Sequence, residues 1–257
     1  MPRSQRYLIQ AAAVIGFFAI WKFYVEAFEV STLVLPPPEE VFVALFGLFA
    51  SGEIWPHLYV TLLECLGGFV FACIAGVTLG MLLGRNAMLD TIFKPFVIAL
   101  QVTPKVALIP LFILWFGFGL ESKVIVSAVL AFFPVFANTY LGARSVDRGL
   151  VELFEVGKAT RDRRFTKLVL PSSLPYILTG MEMAIVLSII GAVVAEFMAG
   201  SRGLGYLATI KLQELQVGSL FAVVIVLALI GFALYFLVGS LRRVLIPWHE
   251  SARPATI

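Results

Sequence analysis

Charge is scarce in this sequence. Only 14% of its 257 residues are Asp, Glu, Lys or Arg, and 60% are hydrophobic. A soluble domain carries about 25% charged residues, so the composition excludes an ordinary water-soluble domain and points to a membrane protein. The net charge of +3 is too small to argue for nucleic acid. Cysteine is nearly absent. Cys65 and Cys73 share one apolar run, at a spacing that suits neither a metal site nor a disulfide framework, and are read as packing residues. The two histidines, His57 and His249, are isolated, which excludes a histidine-metal cluster. No HExxH, nucleophile elbow or paired-carboxylate pattern appears, so nothing marks a membrane enzyme. Internal repeats and low-complexity segments are also missing, and residues 1–257 are read as one transmembrane domain.

Six apolar runs are long enough to cross about 30 Å of hydrocarbon as helices. They extend roughly from Tyr7 to Val25, Val60 to Leu83, Ile92 to Trp115, Val124 to Leu141, Tyr176 to Phe197 and Leu220 to Leu241. Arg3 and Arg6 precede the first run, but the apolar stretch continues past Trp21 without a small-residue cleavage site, so an uncleaved span is expected. Between the first two runs, Pro36–Pro38 stop any preceding helix and Glu39 suits the start of another. Val41, Leu45, Leu48 and Phe49 then share a face, which predicts a short helix lying in the membrane interface.

Basic residues set the expected orientation. With the N-terminus inside, the inner segments hold fourteen Lys and Arg, including Arg85, Lys94, Arg242, Arg243 and Arg253; the outer ones hold only Lys123, Arg202 and Lys211. That bias predicts that both termini are cytoplasmic.

Half of the inner cations lie in one segment, RSVDRGLVELFEVGKATRDRRFTKLVLP at 144–171, with seven Lys or Arg and four acids. A loop that only sets topology would need no order. Here Asp147 suits a helix cap, and Leu150, Val151, Leu153, Phe154 and Val156 follow it closely. A second short helix is expected from Arg163 to Leu170, stopping at Pro171. A water-facing helix that presents Leu, Val and Phe is better explained as a docking surface. The GKAT at 157–160 is not a phosphate-binding loop. Glu152 stands where that loop requires glycine, and Ala159 follows Lys158 where it requires Ser or Thr.

The same segment resembles the cytoplasmic signature of ABC importer permease subunits: Glu-Ala-Ala, three residues, Gly, nine residues, Ile, one residue, Leu-Pro. Glu152, Lys158, Leu168, Leu170 and Pro171 fall at those spacings. LPSSLPYILTG, IGAVVAEFMAG and RGLGYL downstream, with LVLPPPEEV, HLYVTLLECLGGF and PKVALIPLFILWFGFG upstream, are similar to the branch that imports nitrate, taurine, alkanesulfonates and pyrimidine precursors. The resemblance covers nearly the whole chain. Two departures stand out: the Ala-Ala pair is Leu153-Phe154, and the family glycine is Lys158, one place after Gly157. A left-handed Lys158 would cost on the order of 1 kcal/mol, unless Gly157 takes over the turn.

The resemblance implies an all-α, six-span permease of type I ABC importer architecture in a bacterial inner membrane. Residues 144–171 would form the coupling helix, seated in a cleft of a separate ATPase that binds ATP and magnesium; no cofactor is expected in this chain. Leu150, Leu153 and Phe154 would anchor it, with Glu152, Arg161, Arg163 and Arg164 supplying polar contacts. A second copy of the chain, a periplasmic binding protein and the lipid bilayer complete the expected partners.

For the solute path, LQVTPKVALIPLF is the most informative stretch. Lys105 lies near the middle of the third run beside Gln101 and Thr103, between Pro104 and Pro110. A kinked span frees carbonyls where a watery cavity can cover them, and a lysine there attracts an anion. Alternatively it snorkels, or pairs with Glu64 or Glu182. Glu196, which ends the fifth run, is read with Gln101, Thr103 and Lys105 as a pathway residue, and Gly203 and Gly205 permit tight turns near the expected outer gate, or in a simple connector. A secondary transporter remains the alternative reading, but would be expected to show repeats and a midplane carboxylate, and would leave the insert unexplained.

Overall fold

A computed structural model describes residues 3–248 of the chain; His249 and Arg253 lie outside them. All regular structure among the described residues is helical. In chain order it comprises α1 (Arg3–Ala27), α2 (Pro38–Ala50), α3 (Ile54–Arg85), α4 (Ala87–Val102), a 3-10 turn (Lys105–Leu108), α5 (Ile109–Phe116), α6 (Leu120–Arg144), α7 (Arg148–Val156), α8 (Arg161–Arg164), a π-turn (Phe165–Val169), α9 (Leu170–Ala199), α10 (Leu204–Gln213) and α11 (Val217–Leu245). Five helices are long and apolar enough to span a membrane; α4 and α5 make a sixth span if the bent pair is counted as one.

The centre of the bundle is α6, packed between α3 and α9. Close approach is possible because α3 carries a small residue every fourth position: Gly68, Ala72, Gly76, Gly80 and Gly84. A Cβ on Gly76 would lie 2.8 Å from the Val135 Cβ, and one on Gly84 2.7 Å from the Ala143 Cβ. Without a hydrophobic drive between helices in lipid, such stripes gain their stability from van der Waals contact. A hydroxyl relay adds to it. Ser188 Oγ donates to the Cys65 carbonyl (2.6 Å), and Ser127 Oγ lies 2.8 Å from the Ser188 carbonyl.

The third predicted span is present as a sharply bent pair: α4 and the segment Lys105–Phe116 meet at 86°. Pro104 drives the break. It pushes Thr103 into an extended conformation (φ −64°, ψ 130°) and ends α4 at Val102. Pro110 then sits harmlessly in the first turn of α5. The expectation for Pro171 is corrected: it does not stop the helix before it. It lies in the first turn of α9, and the π-turn before it leads into a continuous 39-residue helical run from Arg161 to Ala199. Widening the preceding turn removes the need for the N–H that proline lacks.

The short helix predicted after Pro36–Pro38 is α2, with Glu39 and Glu40 in its first turn. Its Val41 and Leu48 are buried against Leu204, Leu207, Ala222 and Val223 of α10 and α11, so one face packs on protein. By contrast α1 is peripheral. Val25 is its one buried residue among those described, and Trp21–Phe221, Phe18–Phe42 and the 2.9 Å Lys22–Glu39 ion pair fasten it.

Candidate functional site: the charged insert, the broken helix and a buried polar node

In the insert, local chemistry specifies each turn. Asp147 Oδ1 accepts from the N–H groups of Gly149 (2.7 Å) and Leu150 (3.2 Å), opening α7. At its far end Lys158 adopts φ +48° while Gly157 stays at φ −73°, so the lysine itself takes the left-handed position. Its N–H donates to the Glu155 carbonyl (2.9 Å) and that of Ala159 to the Phe154 carbonyl (3.0 Å), the pair of bonds that defines a Schellman ending. Thr160 caps α8 through the Arg163 N–H at 3.3 Å. The insert is thus one short helix capped at both ends, followed by the capped start of the long helical run into α9.

Their exposed faces differ in part from expectation. Leu150, Leu153 and Val156 are 45%, 64% and 83% exposed, while Phe154 is half-buried. Val156 therefore joins the apolar face and Phe154 contributes mainly to its base. Glu152, Arg161 and Arg163 are exposed. Arg164 is not free for a partner: it pairs with Glu155 at 3.0 Å, bracing α8 against α7.

At the broken helix, Lys105 Nζ donates to the Gln101 carbonyl (2.9 Å) and stands 4.3 Å from the centroid of the Phe133 ring. A cation over an exposed C-terminal carbonyl stabilises the end of α4. Lys105 and Thr103 line a cavity of about 400 Å³ with Phe71, Phe112, Phe132 and Phe133. Gln101 faces a neighbouring cavity between α4 and α6. The partners expected for Lys105 are engaged elsewhere. Glu64 lies 3.7 Å from Lys123, and Glu182 accepts two bonds from Arg242, at 2.6 and 3.0 Å.

The opposite end of the bundle holds a polar node that the sequence pattern only hinted at. Glu196 is 1% exposed and does not line an open path. Its carboxylate accepts from Thr61 Oγ1 and from the Gly205 N–H, both at 2.6 Å. Thr61 Oγ1 in turn accepts from the Leu204 N–H at 2.8 Å. His57, seemingly isolated, has Nδ1 3.2 Å from the Gly203 amide nitrogen and its ring stacked on Tyr206. Gly203 needs its φ of +111°, and a Cβ there would collide with the Glu196 carboxylate. A Cβ on Gly205 would fall 2.7 Å from the Val193 carbonyl. The turn before α10 is thus stapled to α3 and α9, and both glycines are required by space. Beneath it Lys123, 3% exposed, donates to the carbonyls of Phe118 (3.1 Å) and Gly119 (3.2 Å) beside Glu64. One signal was available: His57, Thr61 and Glu64 recur at helical spacing on one face of α3. Lys123 and Lys211, counted as outer cations, are both buried and paired.

An all-α bundle with a double-capped charged insert and a broken span beside an aromatic cavity is the arrangement expected of a membrane transport subunit. Comparison with known proteins agrees. Residues 76–249 match the family described as "Binding-protein-dependent transport system inner membrane component". A putative aliphatic sulfonates transport permease of Bacillus subtilis is 34% identical, covering 97% of this chain and 91% of the relative. A formylaminopyrimidine transport permease of Halalkalibacterium halodurans is 32% identical, covering 97% and 99%. A riboflavin transport system permease of Chloroflexus aurantiacus is 37% identical, covering 85% and 81%. Among solved structures, a chain of the MetNI methionine ABC transporter superposes with a TM-score of 0.64 at 19% identity, over 76% of this chain and 98% of that one; it shows a shared fold. The chain belongs to the binding-protein-dependent transport system inner membrane component family. It is the membrane permease subunit of an ABC importer, and the secondary-transporter alternative falls away.

Proposed function

We propose that this permease works in a bacterial inner membrane with both termini cytoplasmic, and that α7 is its docking element for a separate ATPase. The observation that carries this reading is the apolar face of Leu150, Leu153 and Val156, held toward water on a helix whose two ends are both capped. Order of that kind in a short exposed helix suits a peg in a partner's cleft. Glu152, Arg161 and Arg163 would ring the contact, while the Gly157–Lys158 turn and Pro171 set its geometry. The ATPase would hold ATP and magnesium. Two copies of the permease would pair around the solute path, with the binding protein approaching the end that carries the 200–205 turn, where Gly203 and Gly205 shape the outer gate.

The solute is a small anionic or polar organic molecule, in keeping with the sulfonate and pyrimidine compounds in the relatives' names. Lys105, Thr103 and Gln101 would meet it at the broken helix; Glu196 is assigned to holding the outer turn. The test is gentle detergent purification with each stoichiometric partner identified by mass spectrometry. An ATPase recovered at one copy per permease, and lost in Leu153→Asp, is the expected result. A chain that purifies alone and takes up solute without ATP would overturn the reading.

A further inference from the structure

The helix α4 is weakly packed, yet one polar contact ties its first turns to the core. None of its sixteen residues is buried. Extended residues bound it, Asn86 (φ −120°, ψ 105°) and Thr103, and so provide pivots. Between α4 and α6 lies a cavity of about 230 Å³, with Val97, Ile98 and Gln101 on one wall and Phe136 and Ala137 on the other. Asp90 closes its end nearest the insert. Tyr140 Oη donates to Asp90 Oδ1 at 2.8 Å, and an Arg144 guanidinium nitrogen donates to Asp90 Oδ2 and to Tyr140 Oη, each at 2.7 Å.

The position of Arg144 gives this triad its meaning. It is the last residue of α6, and only Ser145 and Val146 separate it from Asp147, the cap of α7. We propose that Asp90, Tyr140 and Arg144 are positioning residues for transport: the joint through which displacement of α7 moves α4. The proposal rests on the docking reading of α7. A force on α7 reaches Arg144 first. Most of α6 cannot follow, because Gly68, Gly76, Gly80 and Gly84 of α3 hold it at backbone contact. The weakly packed α4 can, since it has two pivots and a cavity to move into. The Arg144 side chain is half exposed (49%), so its charge can leave for water, while the Asp90 side chain, 14% exposed, keeps the Tyr140 hydrogen bond. Lys94, four residues along α4 on the wall of the same cavity, offers Asp90 a second cation when Arg144 leaves. A joint with two partners for one carboxylate supplies the two arrangements that coupling between sites requires.

The test uses the purified complex with its ATPase, Cys65 and Cys73 replaced by Ala, and spin labels at Ile98→Cys and Leu141→Cys. In the otherwise unaltered chain, MgATP with vanadate should change the α4–α6 label distance. In Asp90→Asn and Arg144→Gln the ATPase should still co-purify and hydrolyse ATP, but the shifted population should fall about fivefold or more. The exchange Asp90→Arg/Arg144→Asp should recover it, a rescue that loose packing of α4 would not produce. Single variants that hydrolyse ATP and still move α4 fully would overturn the joint. Should the single variants fail to assemble, the exchange variant decides: restored α4 movement supports the joint, and an assembled complex without movement overturns it. If no ATPase accompanies the unaltered chain, the docking reading itself fails and the joint falls with it.

Discussion

The two ends of this bundle treat polarity in opposite ways. At the insert, apolar side chains face water and the charged ones pair along the surface; at the Glu196 node, charged side chains are buried among helices. The insert obtains its order from local backbone chemistry, through the Asp147 and Thr160 caps and the left-handed Lys158. The node obtains its order from residues far apart in the chain, with α3, α6 and α9 each supplying a charged partner. A surface built from local signals can be altered without disturbing the bundle. A buried network cannot lose one member without stranding another.

Lys123→Met should have the largest effect on stability. It leaves Glu64 buried without its cation and should cost about 3–5 kcal/mol, read as a lower melting temperature in detergent. The double change Lys123→Met/Glu64→Leu should recover most of that loss; if it does not, the node is more than a compensated pair. Next, Leu153→Asp should weaken ATPase binding by about 2 kcal/mol or more while the melting temperature stays near its original value. A parallel loss of stability would erase the contrast between the two ends. Gly203→Ala should cost about 1–3 kcal/mol, because a Cβ at φ +111° meets the Glu196 carboxylate. Its melting temperature should fall, and Glu196→Gln should not rescue it, since the clash is steric. The smallest effect should come from Lys158→Gly. It relieves a left-handed lysine and should slow hydrogen exchange at the end of α7 by an amount equivalent to about 1 kcal/mol. Unchanged exchange would mean that the Schellman turn is held by something other than backbone preference.

The third span shows how much the sequence could reveal at one position. Pro104 and Pro110 forecast a break, and the break is there, but its 86° angle was not legible. Lys105 read as a lysine that attracts an anion, snorkels or pairs with an acid, and its contacts are a carbonyl of its own helix end and an aromatic face. Glu196 looked like a pathway carboxylate because its neighbours in sequence are apolar; its neighbours in space are Thr61 and the glycine turn. In each case the residue type signalled a polar event, while helix rotation chose the partner. α10 illustrates the same limit, since Gly203 and Gly205 read as turns at an outer gate or in a simple connector, and they open a helix whose Leu204, Leu207 and Ala208 are buried.

By itself, the sequence determined whatever depends on neighbouring residues: the apolar runs, the break at Pro104, the cap at Asp147 and the order of the family motifs. Hydropathy, proline geometry and capping act within a turn or two of helix and so can be read along the chain. Only the tertiary structure decided that Glu64 meets Lys123, that Glu182 meets Arg242 and that Asp90 reaches Arg144. Ion pairs and hydrogen bonds act over about 3–4 Å, so their partners are fixed by how the helices rotate and pack, which the glycine stripe of α3 sets through contacts with α6 that no local pattern specifies.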